Sequence, residues 1–385
     1  MPAALVRSLR RASSARLAAL GQWAPGVLIA MVLAALARLV AQGLAQGAVG
    51  LPKVPLSPVM CAVVLGMLWR NTLGVPSWAT RGLDWTMHRL LRVGIALVGL
   101  RLTLGGATSI ALTALPVALT CLTVALLAGI GISRSLDVPR RLGFLLAIGT
   151  AVCGCTAVVA LSPVIKARHA ETAFAVTCVV LFGCIAMLFY PWVAGHVFAA
   201  SPVHAGIFLG TAIHDTSQVI GAALIYSQQA AAPAALAAAS VAKLLRNLSI
   251  AVLIPAAAWL TQRREAAAPA EARMSDEAGA CAGAPAARPP VVPLFVLAFV
   301  GFIVLRTAGD ALYAPGSSLW QAMVSTGYTA SDLFLTCGMT AVGLSVAFTD
   351  MWRIGWRPLA AGLVVATLVG GCSLLLTSGM LYFLR

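Results

Sequence analysis

Two stretches of this chain set residues that can do chemistry beside glycines that interrupt helices. Residues 210–223 read GTAIHDTSQVIGAA and place His214, Asp215, Thr216, Ser217 and Gln218 side by side. Residues 149–160 read GTAVCGCTAVVA and carry Thr150, Cys153, Gly154 and Thr156. The two align without gaps at an offset of 61, with Gly149 on Gly210 and Thr150 on Thr211. A third stretch, VAKLLRNLSIAVLIP (241–255), carries Lys243 and Arg246 three residues apart, hence on one helix face. Histidine titrates near neutral pH, so His214 with Asp215 is a candidate for handling a coupling proton or cation. Hydroxyls, an amide, freed backbone N–H groups and two cations are oxyanion donors. Thr150, Cys153, Gly154, Thr156, Thr216, Ser217, Gln218, Lys243 and Arg246 are therefore expected to line a site for a small anion. A structural role is open to the same residues: His214 and Asp215 can fix a turn, and Lys243 and Arg246 can reach outward to headgroups or balance Asp215.

The elements around these stretches must be membrane helices. The 385-residue chain is only 10% charged, against about 25% in soluble domains, and its mean hydropathy is +0.95. Apolar runs of roughly 18 to 25 residues, the length that crosses a bilayer, recur along it. The expected fold is all-α and polytopic, with about nine to eleven transmembrane segments. Their expected ranges are 24–46, 56–69, 89–104, 107–132, 142–163, 171–195, 203–226, 234–261, 291–309, 318–348 and 356–384. Residues 1–22 read as a cytoplasmic tail and 263–290 as a disordered cytoplasmic linker rich in Pro, Ala and mixed charge. The linker joins a first membrane half, 23–262, to a second, 291–385.

The net charge is +15, but the arginines sit mainly between apolar runs, where they set topology; no nucleic-acid partner is expected. Basic residues fall inside for every loop except Lys166 and Arg168, which would lie outside if 142–163 crossed. If 142–163 and 203–226 both enter and turn back, the exception disappears and the two form an inverted pair. If both are unwound full spans, they run parallel. Either way, a duplicated, glycine-interrupted segment is a pointer to a transporter's binding site. A weaker similarity joins VGIALVGL (93–100) to CGMTAVGL (337–344). Asp215 is the one acid expected near mid-membrane; Asp84, Asp137, Glu171, Asp310, Asp332 and Asp350 are set near span ends.

Enzyme classes find little support. Eight of the nine cysteines lie in or beside apolar segments and form no metal-binding CxxC pair. A Cys153–His214 nucleophile lacks an activating third group. There is no HExxH, GxSxG or GxxxxGK[ST]. No cofactor and no enzymatic activity are expected.

The motifs GTAVCGCTAVVALSPVI, GTAIHDTSQVIGAA and VAKLLRNLSIAVLIP, in that order, resemble those of the YeiH-type bacterial membrane proteins, a family that carries a sulfate-exporter label. The resemblance runs from about residue 56 to the last span. It implies kinship with cation:proton antiporter and bile-acid symporter type transporters, with inverted repeats and broken helices at the centre. The family's polar signature falls on Thr150, Cys153, Gly154, Thr156, His214, Asp215, Gln218, Lys243 and Arg246. Two positions depart mildly: Thr156 is more often Ser, and Asp215 often Glu. The implied function is a secondary transporter in the bacterial inner membrane that exports sulfate, sulfite or a similar anion, with proton or sodium coupling. A cation:proton antiporter using Asp215 is the alternative, and a non-transporting membrane protein or Cys-dependent membrane enzyme the next. A homodimer is compatible with each.

Overall fold

The computed structural model describes residues 3–46, 57–250, 252–253, 255–257, 259, 263, 294–313, 317–347, 349 and 356–383, with backbone alone for 3–21 and His169. The 263–290 linker lies outside the described residues except for Arg263. The described residues are mostly helical, with no strand among them. Five helices are long and apolar enough to cross a membrane: Gln22–Gln46, Leu104–Ser135, Ala170–Val197, Leu294–Leu312 and Trp356–Tyr382. The protein is a polytopic, all-α membrane protein. Two compact units interleave along the chain, one of residues 1–94 and 329–347, the other of 95–328 and 348–385.

In the first unit, α1 (Ala3–Gln46) packs on α2 (Pro58–Thr72) and α3 (Ser77–Trp85). Residues 3–22 of the expected 1–22 tail are helical and continuous with the rest of α1. Gly26 and Gly82 let α1 and α3 touch, because a Cβ on either would lie under 3 Å from backbone of the other. Residues 70–88, expected between spans, are largely helical: α3 runs through one π turn, Thr86–Leu90, into α4 (Leu91–Val98). Its polar residues occupy an exposed helix face, so polarity there marked a surface, not a break. On α13 (Ser318–Ser345) Gly94 meets Leu335, and Gly338 meets Leu91. These contacts are reciprocal, since Leu91 and Gly94 align with Leu335 and Gly338 in the 93–100 and 337–344 similarity. Asp332, expected near a span end, is instead the fifteenth of the 28 residues of α13.

The second unit carries the broken segments. α5 (Leu104–Ser135) and α6 (Arg140–Ala151) run antiparallel, with Gly129 against Ala147 and Gly143 against Ser133. The chain then breaks over 152–154 and resumes as α7 (Cys155–Leu161). Gly154 has φ +69°, a conformation that glycine adopts without a Cβ penalty. Gly149 lies against Val158, nine residues on, where a straight helix would separate them by about 13 Å. The chain has therefore turned back, which returns Lys166 and Arg168 to the end at which α6 began. α8 (His169–Val197) starts there, with Thr172 Oγ1 donating to Ser162 Oγ at 2.8 Å.

The second broken segment enters from the other end of α8. α9 (Pro202–Ala212) packs Phe208 on Tyr190 and Phe198, the late residues of α8 and its cap. It breaks over 213–215 and resumes as α10 (Thr216–Gln229). α11 (Pro233–Leu248) then runs parallel to α9, with Gly206 on Ala235 and Ala238 and Gly210 on Ala239 and Ala242. Since α11 starts where α9 starts, α10 must have returned there. Both tips meet beside the middle of α8: Gly149 faces Val179, and Gln218 Nε2 donates to Val180 O at 2.9 Å. α11 ends at Leu248, and after one turn at Ser249 the described residues among 250–263 are helical again, through the range of the expected span. α12 (Leu294–Leu312) and α14 (Trp356–Phe383) complete the unit; Ser373 of α14 and Thr211 of α9 join their hydroxyls at 2.7 Å.

Candidate functional site

A half-helix that stops inside the protein leaves its last carbonyls without intrahelical partners and carries a partial negative charge there. α6 and α9 both stop at the junction. Lys243 and Arg246 of α11 supply what both ends lack. Lys243 Nζ donates to Val152 O at 2.9 Å, to Ile213 O at 3.1 Å and to His214 O. Arg246 Nε donates to Ala151 O at 3.0 Å, Nη2 to Thr150 O at 2.7 Å and Ala151 O at 2.6 Å, and Nη1 to Thr211 O. Val152 and Ile213 are equivalent at the offset of 61, and so are Thr150 and Thr211. Each basic side chain thus binds equivalent carbonyls of both repeats.

This arrangement revises the expected roles of the pair. Both side chains are buried, at 0% and 1% exposure. An ammonium has three donors, and all three of Lys243 are taken. A guanidinium has five, and four of Arg246 are taken. Neither forms an ion pair with Asp215, and neither reaches outward to headgroups. The pair clamps two hairpin tips rather than facing an anion with free donors. Sequence shows charge and face but not backbone partners 29 to 96 residues away.

The remaining expected residues divide by burial. Thr150, Cys153, Gly154, His214 and Gln218 are buried. Thr150 Oγ1 bonds Leu146 O at 2.8 Å, and its equivalent Thr211 bonds Ile207 O at 2.7 Å, each closing its own half-helix. Gln218 Nε2 also donates to Cys184 Sγ at 3.3 Å. The His214 ring is fully enclosed, and Gln218 Oε1 is buried without a hydrogen-bond partner among the described residues. Cys153 and His214 both lie at the junction, but no hydrogen bond joins them. Asp215, Thr216 and Ser217 are half-buried, and Thr156 is exposed.

Asp215 organises that accessible side. Its Oδ1 accepts from Ser217 N at 2.9 Å and from Ser217 Oγ, so the carboxylate is the N-cap of α10. Its Oδ2 points at Gly154, where α7 begins without any side-chain cap. Asn247 Nδ2 reaches Thr216 Oγ1 at 3.3 Å and adds a third contact from α11, a residue whose role the sequence left unassigned. Two positive helix ends, one carboxylate and three hydroxyls thus adjoin a floor of two buried cations. The arrangement can hold a small anion at the helix ends, and a proton or cation at Asp215. Among the described residues no group of three His, Cys, Asp or Glu side chains is disposed to hold a metal ion.

Comparison with known proteins agrees with a membrane protein. The model of the family described as conserved hypothetical protein 698 matches residues 25–362. A UPF0324 membrane protein of Ralstonia nicotianae is 32% identical over 326 residues, which is 82% of this chain and 84% of its own. One from Bordetella bronchiseptica is 33% identical, covering 80% of this chain and 89% of its own. One from Bacteroides thetaiotaomicron is 28% identical, covering 83% and 89%. No solved structure matches.

Proposed function

The chain belongs to the conserved hypothetical protein 698 family, the YeiH-type family that its motifs resemble, and from that premise we propose a secondary transporter of the bacterial inner membrane. It moves a small inorganic anion, sulfate or sulfite, by alternating access. The observation that carries this reading is the junction itself: two helical hairpins enter from opposite ends of α8 and meet tip to tip. Discontinuous helices that meet in this way are the architecture of transporter binding sites. Lys243 and Arg246 against Asp215 leave one net positive charge there, and the N-terminal ends of α7 and α10 add to it. Thr156 and Thr216 are the accessible donors in this reading, and Ser217, whose hydroxyl is given to Asp215, holds that carboxylate beside them. Thr150, Cys153, Gly154 and Gln218 shape the tips, and Lys243 and Arg246 set the potential. A coupling proton enters at Asp215, with the buried His214 behind it. The N-terminus faces the cytoplasm, and no enzymatic step is involved.

The test is thermal unfolding of detergent-purified protein with sulfate, sulfite, thiosulfate, phosphate and small carboxylates, followed by uptake into proteoliposomes. A ligand that binds only the folded state stabilises by about 2.7 kcal/mol at a hundredfold excess over Kd. A response to one oxyanion, with matching flux, supports the reading; flux of cations alone rejects it. A second reading, cation:proton antiport, is favoured by one observation: the half-buried Asp215 has a carboxylate oxygen, Oδ2, that receives no hydrogen bond among the described residues. Cation-driven proton flux that vanishes in Asp215→Asn would select it.

A further inference from the structure

Three carbonyl oxygens converge on one point of the junction, and they come from the ends of two different half-helices. Val152 O belongs to the first hairpin, Ile213 O and His214 O to the second. Unwound carbonyls at half-helix C-terminal ends are the donors with which transporters coordinate a coupling sodium ion. Oxygen-only donor sets suit hard cations of that kind. In this chain the point is occupied by the Nζ of Lys243, a side chain with no exposed surface. Three acceptors around one nitrogen require three donors, so the occupant is an ammonium and not a neutral amine.

We propose that Lys243 is a tethered cation: its ammonium permanently fills the carbonyl cluster that a dissociable monovalent ion would otherwise occupy. Two consequences follow. The wild-type protein takes no sodium or potassium at this point, because the oxygens are spent and the site is covered. Shortening the side chain to alanine uncovers a site for a free monovalent cation. Its best occupant is a primary alkylammonium, since Lys243→Ala deletes three carbons and one ammonium, the atoms of propylammonium. Sodium is a smaller occupant of the same oxygens. The assignment does not depend on transport. Its implication for coupling rests on the proposed function: with the cation fixed to α11, the exchangeable ion at the junction is a proton on Asp215.

The experiment reads binding alone, in full-length detergent-purified protein held at constant ionic strength with choline chloride. Unfolding midpoints are measured against sodium, potassium, methylammonium and propylammonium chloride. The wild-type midpoint is expected to be the same in all of them. Lys243→Ala is expected to unfold at lower temperature in choline and to recover saturably with propylammonium, less with methylammonium or sodium. Lys243→Met fills the same space without charge and is expected to stay low in every salt. A wild-type midpoint raised by sodium over choline, and raised equally in Asp215→Asn, overturns the proposal, and that arm stands even if Lys243→Ala does not fold. A Lys243→Ala protein that folds and responds to no cation overturns it too. Loss of anion transport with these cation responses intact would reject the transporter reading and leave this one standing.

Discussion

Gly154 and Asp215 hold the same position in the two repeated segments and face each other where the hairpins meet. A Cβ on Gly154 would lie 2.6 Å from Asp215 Oδ2. The closest approach of the two repeats thus joins a residue with no side chain to one with a charge. Equivalent positions have diverged as far as the contact demands, since two side chains would not fit.

Gly154→Ala is the first prediction. The backbone there is left-handed, at φ +69°, and the added methyl meets the carboxylate. Strain alone costs about 1–3 kcal/mol. Chemical unfolding should show at least that loss, and any transport activity should fall with it. An Ala variant with wild-type stability would mean that the tips part easily.

Asp215 separates capping from charge. Asn caps a helix about as well as Asp, whereas Ala costs about 1 kcal/mol. Asp215→Asn should therefore unfold close to wild type, and Asp215→Ala about 1 kcal/mol lower. If Asp215 also carries the coupling proton, both variants lose the pH dependence of flux. Asn behaving like wild type in a flux–pH series would remove the coupling role and leave the cap.

Arg246 makes four hydrogen bonds to three buried carbonyls. Each buried carbonyl left unsatisfied costs about 1–3 kcal/mol. Arg246→Ala should lose at least about 3 kcal/mol by that figure. Arg246→Lys should fall between, because an ammonium cannot reproduce the planar fork. Equal stability of all three proteins would show that the guanidinium does not hold the tips.

Glycines in two helices make a controlled comparison. Gly206 has Ala235 O only 2.3 Å from where its Cβ would sit, whereas Gly195 in α8 has nothing within 4 Å. Gly206→Ala should destabilise by about 1–3 kcal/mol as an overpacked contact. Gly195→Ala should be neutral or gain up to about 1 kcal/mol from helix propensity. Matching losses at both sites would argue against close packing of α9 on α11.

Much of this was legible in the sequence. The breaks at 152–154 and 213–215 fall inside the two glycine-interrupted stretches, because glycine and adjacent polar residues cannot continue an apolar helix unaided. The offset of 61 reappears as equivalent carbonyls on Lys243 and Arg246. The partners of those two were not legible: a carbonyl belongs to every residue, so sequence cannot show which ones a distant cation will take. Asp332 lies in the middle of its helix, and a single acid in an apolar run carries no local mark of its depth. The 77–101 helix was missed at its start because exposed Arg and Trp look alike on a loop and on a helix surface.

Both hairpins are clamped by one later helix, and that orders the protein's synthesis. The first hairpin ends at Leu161, while Arg246 lies 85 residues further along the chain. At roughly 5–20 residues per second, the ribosome needs about 4–17 s to deliver it. Throughout that interval the α6 carbonyls are inside the membrane with no cation to bind. The nascent chain therefore needs water, lipid headgroups or an insertion factor to shelter them, and its two hairpins lock together only when α11 arrives.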